Sequence, residues 1–383
     1  MQLLQASSEA LIKPLSTVIG IVEKRSTMPI LMNILINKVG SRVEFLATDL
    51  DVEITTFVDL GSPDSNASFT VQAKRMFDVL KSLPSAAETE LLLEPQKHSS
   101  DAERLIVKST GSRFSLLTID AEQFPRMDKP KEWITEFTLP QKELLRLFSM
   151  VSFAMAKQDI RYYLNGILVV MEPGNTVRTV ATDGHRLAHM ALSLDQDLQL
   201  TEEKQIILPS KTVVEMQRLL DDSDEPVKIS VGERNVRFEF GNIEFFSKLI
   251  EGRFPDFRRV IPQDYQTQIH IKREQLQRCL QRASILVADD RMHGIKLKFE
   301  DNLLRIFAQN QEQEEAKIEM EVNNPDAQEL EVGFNANYLL DVVASARSEE
   351  IVFSVKPNSS SSSVLVTIPD AENFKYVVMP LRI

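Results

Sequence analysis

Cysteine is almost absent from this sequence of 383 residues: Cys279 is the single one. One thiol supports neither a disulfide framework nor a cysteine-based zinc site. Long apolar runs are missing as well. No stretch approaches the roughly 18 residues of a membrane span, and the opening MQLLQASSEAL lacks the basic-then-apolar order of a secretory signal. There is no GxxxxGK followed by Ser or Thr, no GxGxxG and no HExxH, so phosphate-cradling and zinc-protease chemistry have no signature here. Positive charge is in deficit: 44 Lys and Arg stand against 56 Asp and Glu, a formal charge of −12. That balance argues against a generic nucleic-acid coat, but what decides is where the basic residues lie. A cytoplasmic chain with packed cores is the expectation, since 43% of residues are hydrophobic.

The positive feature is repetition. An apolar strand ending in a polar turn occurs as VEFLATDLD (43–51), VRTVATDGH (177–185) and LLRIFAQNQ (303–311). Leucine-type pairs four apart, the spacing of a helix face, occur at Leu11/Leu15, Leu144/Phe148 and Leu276/Leu280. A strand leading into a short helix occurs at 71–83, 208–220 and 333–346, and a closing strand precedes Pro125, Pro255 and Pro380. Four landmarks in one order, three times, predict three tandem α+β domains over 1–133, 134–256 and 257–383. A single large α+β domain is the alternative, yet cores above ~250–300 residues split. RMDKPKEW (126–133) and FRRVIPQDYQ (257–266) have no periodicity and read as exposed connections. EPQKHSSDAE (94–103) and PNSSSSS (357–363) read as loops. Helices and alternating strands within one repeat imply antiparallel sheets with helices on one face. Pro14 inside the first helical pattern requires either a kink or a later start.

Charge is sorted by element type. The helical segments 7–25, 72–82, 139–157, 209–219, 271–288 and 334–347 hold sixteen basic and seven acidic residues. Helix propensity alone does not explain this, because Glu shares it with Lys and Arg and is scarce there. If the helices line one surface, that surface meets a phosphate backbone without reading bases. A third of the chain has an outer radius of about 18 Å, so three such bodies closed in a ring leave a hole of about 3 Å radius and six leave about 18 Å. A duplex radius is about 10 Å, so two chains are needed to encircle it. The ends suit such a closure. Arg75 and the strand Arg113, Phe114, Leu116 in the first repeat face Ile285, Leu286 and the acidic Glu312, Glu314, Glu315 in the third. A solvated loop is the competing reading of QEQEEA (311–316).

These residues resemble a known family. MPILMNILI (28–36), TDLDVEI (48–54), QAKRMFDVL (72–80), SRFSLLT (112–118), FTLPQ (137–141), QDIRYYLNG (158–166), RTVATDGHRLA (178–188), SKLIEGRFPDFRRVIP (247–262), NQEQEEA (310–316) and YVVMPLRI (376–383) are similar to the bacterial sliding clamps, the beta subunits of DNA polymerase III. The resemblance covers essentially the whole chain. It implies a head-to-tail dimer forming a six-domain ring, helices inside and sheets outside, and a non-enzymatic processivity factor without cofactor. It further implies double-stranded DNA, bound without sequence choice, at Arg25, Lys74, Gln158, Tyr162 and Tyr163. A groove for short peptide motifs is implied at Leu164, Thr182, Gly184, His185, Arg186, Leu187, Pro255, Arg259, Val260, Ser361, Ser363, Val377, Val378, Met379, Pro380, Leu381 and Arg382. Its occupants would come from the polymerase III alpha subunit, the clamp loader, other polymerases and repair proteins, with no membrane involved. Lys317 and Ile318 follow the acidic run where relatives are often acidic again. The tyrosine pair reads otherwise as part of a strand with one ring in the core.

ATDGHR (181–186) tempts an enzymatic reading, with Asp183 and His185 as acid and base. No nucleophile motif accompanies them, and Asp-Gly signals a turn. A hydrolase and a protein-only scaffold with basic helices are the rivals of a DNA-encircling tether. No catalytic or metal residue is assigned.

Overall fold

The computed structural model describes all residues except 26, 61–64, 96–102, 264, 266, 290–292, 325–328, 357–361 and 383. Among the described residues one element order recurs three times. The first repeat is β1 (Gln2–Ser7), α1 (Ser8–Val18), β2 (Asn33–Val39), β3 (Arg42–Thr48), β4 (Val52–Asp59), β5 (Asn66–Gln72), α2 (Ala73–Ser82), β6 (Glu88–Pro95), β7 (Glu103–Ser109) and β8 (Ser112–Asp120). The second is β9 (Thr135–Pro140), α3 (Gln141–Ser149), β10 (Gly166–Met171), β11 (Thr176–Thr182), β12 (Arg186–Ser193), β13 (Lys204–Pro209), α4 (Ser210–Leu219), β14 (Pro226–Val231), β15 (Asn235–Phe240) and β16 (Ile243–Lys248). The third is β17 (Thr267–Lys272), α5 (Arg273–Ser284), β18 (Gly294–Glu300), β19 (Leu303–Gln309), β20 (Glu315–Glu321), β21 (Leu330–Asn335), α6 (Ala336–Ser345), β22 (Glu350–Val355), β23 (Val364–Ile368) and β24 (Ala371–Val378). Each repeat is itself a doubled strand–helix–three-strand half.

The helical landmarks are the buried faces. Leu11 and Leu15 on α1, Leu144 and Phe148 on α3, and Leu276 and Leu280 on α5 are all buried. The Ser7 hydroxyl caps α1 by accepting the Ala10 N–H at 3.3 Å. Pro14 lies within α1 and faces the core. The first helix is shorter than the sequence pattern suggests. It stops at Val18, and a 3-10 turn over Ile19–Ile21 follows. Gly20 there allows close approach: a Cβ would stand 2.2 Å from the Glu215 carboxylate. Lys24 and Arg25 are therefore off the helix, as are Lys157, Lys272 and Arg347 beyond the ends of α3, α5 and α6. Within the helices proper, eleven basic residues stand against six acidic ones. The excess persists but is smaller than the broader segments gave, and part of it belongs to flanking turns.

All strand pairing is antiparallel, and it crosses the two halves of each repeat. The leading strand of the first half joins the sheet of the second: β1 pairs β6, β9 pairs β14, β17 pairs β22. The leading strand of the second half joins the first: β5 pairs β2, β13 pairs β10, β21 pairs β18. Sheets also continue from one repeat to the next through β4–β16 and β12–β24. The chain divides into two compact units, Met1–Lys142 with Val214–Leu249, and Glu143–Val213 with Ile250–Ile383. The first contains the twelve-stranded sheet, and the second contains the eight-stranded and four-stranded sheets.

The connections differ from one another. Residues 126–133 carry no helix or strand, but Arg126 and the Met127 N–H hold the carboxylate of buried Glu53. Residues 257–266 are not simply exposed. Phe257 and Ile261 are buried in a core cluster with Leu164, Leu168, Val180 and Val377, and Val260 packs against it. Phe257–Arg259 form a 3-10 turn there, with the Val260 N–H donating to the Phe257 carbonyl at 3.1 Å.

Candidate functional site

A turn between β11 and β12 builds one wall of a small cavity. The Thr182 hydroxyl donates to the Arg186 carbonyl at 2.6 Å and accepts the Gly184 N–H at 3.1 Å. The Asp183 carboxylate accepts the N–H groups of His185 and Arg186 at 2.9 and 3.1 Å. Such a turn needs glycine: Gly184 has φ +91°, and a Cβ there would press on the Arg161 guanidinium at 3.1 Å. Arg161 closes the rim by donating to the Asp183 carbonyl at 3.1 Å and to both oxygens of Asp159. Those hydrogen bonds hold the Asp159 carboxyl down at about 2.

The cavity has a volume of about 120 Å³. Leu164, Thr182, Gly184, Arg186, Leu187, Pro255, Val260, Val377 and Met379 line it, all of them residues singled out from the sequence. Arg161, Phe254 and Phe257 line it too and were missed. Two phenylalanines bracketing Pro255 in a polar connection were the available signal. The remaining groove residues lie elsewhere. His185 is exposed, and its carbonyl accepts the Met379 N–H at 2.9 Å. Arg259 is exposed and paired with Asp256 at 2.9 Å. Val378 is fully buried. Ser363 is half-buried with Tyr265 at 3.5 Å. Pro380 and Arg382 flank Leu381, whose N–H bonds the Gly333 carbonyl of β21 at 2.8 Å. The tail is thus tied to the four-stranded sheet. Ser361 lies outside the described residues.

Beneath the cavity, His189 is buried and stacked on Phe257 with ring centroids 5.9 Å apart. Burial, with Arg178 and Lys375 nearby, pushes its pKa down to about 4. Asp183, the acid of the enzymatic reading, is committed to the turn and to Arg186 Nε at 3.1 Å.

The residues expected to meet DNA occupy both units. In the first, Arg25 is exposed in the bend after α1, and Lys74 is exposed on α2, where it pairs with Asp78 at 2.6 Å. In the second, Gln158 is exposed with φ +54°, and Tyr162 is 57% exposed. Tyr163 packs its ring against the cavity cluster. The two tyrosines stand in a 3-10 turn over Tyr162–Leu164 and not in a strand, because the Arg161 and Tyr162 carbonyls accept from Leu164 and Asn165.

The expected interface residues are on exposed edges. Arg75 is exposed on α2, and Ile285 is 72% exposed next to half-buried Leu286. On β8, Arg113 is exposed and bonds Glu94 at 2.7 Å, while Phe114 and Leu116 are half-buried. Glu312 and Glu314 are exposed in the turn before β20, and Glu315 opens that strand. Among the described residues β20 pairs only with β19, and β8 pairs with β7 over 112–117 and with β5 only over 118–120.

Models of the N-terminal, central and C-terminal domains of the DNA polymerase III beta subunit match residues 3–128, 138–256 and 258–382. The chain belongs to the beta sliding clamp family. It is 40% identical over 375 residues to the beta sliding clamp of Pseudomonas aeruginosa and 39% over 377 residues to that of Escherichia coli, covering 98% of each chain in both cases. A crystal structure of the Pseudomonas aeruginosa clamp bound to griselimycin superposes with a TM-score of 0.91 at 38% identity, with full coverage of both chains. The Caulobacter crescentus clamp gives 0.88 at 33%, again with full coverage. The fold is therefore three tandem clamp domains, and clamps are non-catalytic processivity subunits of DNA polymerase III.

Proposed function

We propose that this chain, as a sliding clamp, closes head to tail with a second copy into a ring of six domains around double-stranded DNA and tethers replication proteins to it. The observation that carries the reading is the edge pattern. The equivalent strands β4 and β12 each find an antiparallel neighbour, β16 and β24, in the next repeat. β20 and the Ser112–Leu117 stretch of β8 are the third such pair, and each lacks that neighbour among the described residues. Unpaired edges invite pairing, and a heterologous contact that closes removes both ends. Exposed Ile285 with half-buried Phe114 and Leu116 supplies apolar surface there. Arg75 and Arg113 oppose Glu312, Glu314 and Glu315.

The domains are taken as 1–133, 134–256 and 257–383, each holding one complete set of strands and helices. The DNA contacts are assigned to Arg25, Lys74, Gln158, Tyr162 and Tyr163, which offer charge, amide and ring without base discrimination. The apolar cavity between Leu164, Leu187, Val260 and Met379 takes short peptide motifs. They come from the polymerase III alpha subunit, the clamp loader, other polymerases and repair proteins, in the cytoplasm. No helix among the described residues is long and apolar enough to cross a membrane.

Topology is the test. The loaded protein is expected to stay on nicked circular DNA through gel filtration and to leave once that DNA is cut. Equal retention on both forms would show binding without encirclement and end the reading.

A further inference from the structure

Arg186 is one of the residues lining the groove, and its guanidinium is held by partners that do not all belong to the groove. The residue is 8% exposed. Nε donates to Asp183 at 3.1 Å, Nη2 to the Phe153 carbonyl at 2.6 Å, and Nη1 to Asp341 at 2.5 Å. Asp341 is on α6, 155 residues away in sequence. The guanidinium also lies 4.4 Å from the Tyr338 ring centre, one turn earlier on α6. The Tyr376 hydroxyl, beneath it, donates to the Tyr338 carbonyl at 2.9 Å. One buried cation therefore fastens the cavity turn to α6.

We infer that Asp341 is a positioning residue for the groove: through Arg186 it holds the turn Thr182–Leu187 in the form that keeps the cavity open. Asp341 makes no part of the cavity wall. Asp183 alone does not set the guanidinium, since it belongs to the same turn and moves with it. Phe153 offers a neutral carbonyl and, 5.7 Å away, its ring, but no charge. Among the described residues, Asp341 is the charged anchor of Arg186 outside the turn. A buried cation that loses one of its two carboxylates turns toward water or toward the remaining acceptor. Here that motion carries the Arg186 backbone, which is paired with Val378, and neighbouring Leu187 in the wall.

This inference rests on the groove binding apolar peptide, so the experiment separates the two. A fluorescein-labelled peptide with adjacent leucine and phenylalanine is titrated into the full chain and its polarisation followed. Val260→Asp, which places a charge in the cavity, tests the groove. Asp341→Ala, Asp341→Asn and Asp341→Glu test the strut, with thermal unfolding measured on each. The expectation is that Val260→Asp abolishes binding. Asp341→Ala and Asp341→Asn should weaken it five- to twentyfold, while Asp341→Glu, which restores the carboxylate, stays within about threefold of wild type. If Asp341→Ala does not fold, the isosteric Asp341→Asn carries the test alone. Wild-type affinity in Asp341→Asn, with Val260→Asp impaired, overturns the strut and leaves the groove standing. Weakening by Asp341→Asn that Asp341→Glu does not relieve also overturns it. Unimpaired binding by Val260→Asp overturns both.

Discussion

At the residue scale, two buried side chains carry consequences that their exposed neighbours do not. Burial, above all, lowers the pKa of His189 to about 4 from the ordinary 6.5. The unfolded chain takes up this proton as pH falls through about 6.5, whereas the folded chain resists until about 4. Stability present above pH 6.5 is therefore lost on acidification, by about 2 kcal/mol at pH 5. Urea unfolding of wild type and His189→Gln at pH 7.5 and pH 5 should give a smaller acid loss in the variant, and equal losses would contradict the assignment. The exposed cations behave differently. Arg25→Ala with Lys74→Ala would remove two of the proposed phosphate contacts, so the slope of log affinity against log salt should fall by roughly two. Lys74 competes with its own pairing to Asp78, so its share should be the smaller. A double variant with the wild-type slope would exclude these residues from the DNA contact. None of the reach of Arg186 to Asp341 was legible in the sequence, because the pair is joined only by folding.

Elements were more legible than their partners. The alternation of VEFLAT and RLIVKS, and leucines four apart, mark strands and helices because each buries one face locally. Three repeats followed from the same marks. The exchange of leading strands between halves did not, since β1 and β6 are chosen for each other by a contact across more than 80 residues. The helix ends were misjudged where Gly20 and its β-branched neighbours let a 3-10 turn follow α1. Of the groove, the stretches around Thr182 and Val377 were visible as motifs. Phe254 and Phe257 lie in the quoted stretch SKLIEGRFPDFRRVIP but were not assigned to the groove, because that segment has no period to say which face they take. The open edges yield a prediction at this scale. Ile285→Lys leaves the fold untouched, as the side chain is 72% exposed, but places a charge in the apolar part of the proposed seam. Light scattering should shift from twice 43.5 kDa toward 43.5 kDa. An unchanged mass would move the seam elsewhere.

For the whole molecule, separate sheet edges rather than separate cores define where one copy stops. Continuation of strands across repeats makes each junction as regular as a sheet interior. The proposed ring would have its weakest points where the pairing is between chains, and opening is expected there before any repeat unfolds. Hydrogen exchange should show this as faster exchange in β8 and β20 than in β16 and β24, and the reverse order would place the gate within a chain. Strand exchange also orders events during translation. At about 5–20 residues per second, β1 waits several seconds for β6 to emerge. The β12 edge stays bare until β24, the last strand of the order, has been made. Val377 and Met379, which close one side of the cavity, come from that strand and the residue after it. The proposed peptide groove is therefore completed late in synthesis, once β24 has joined β12.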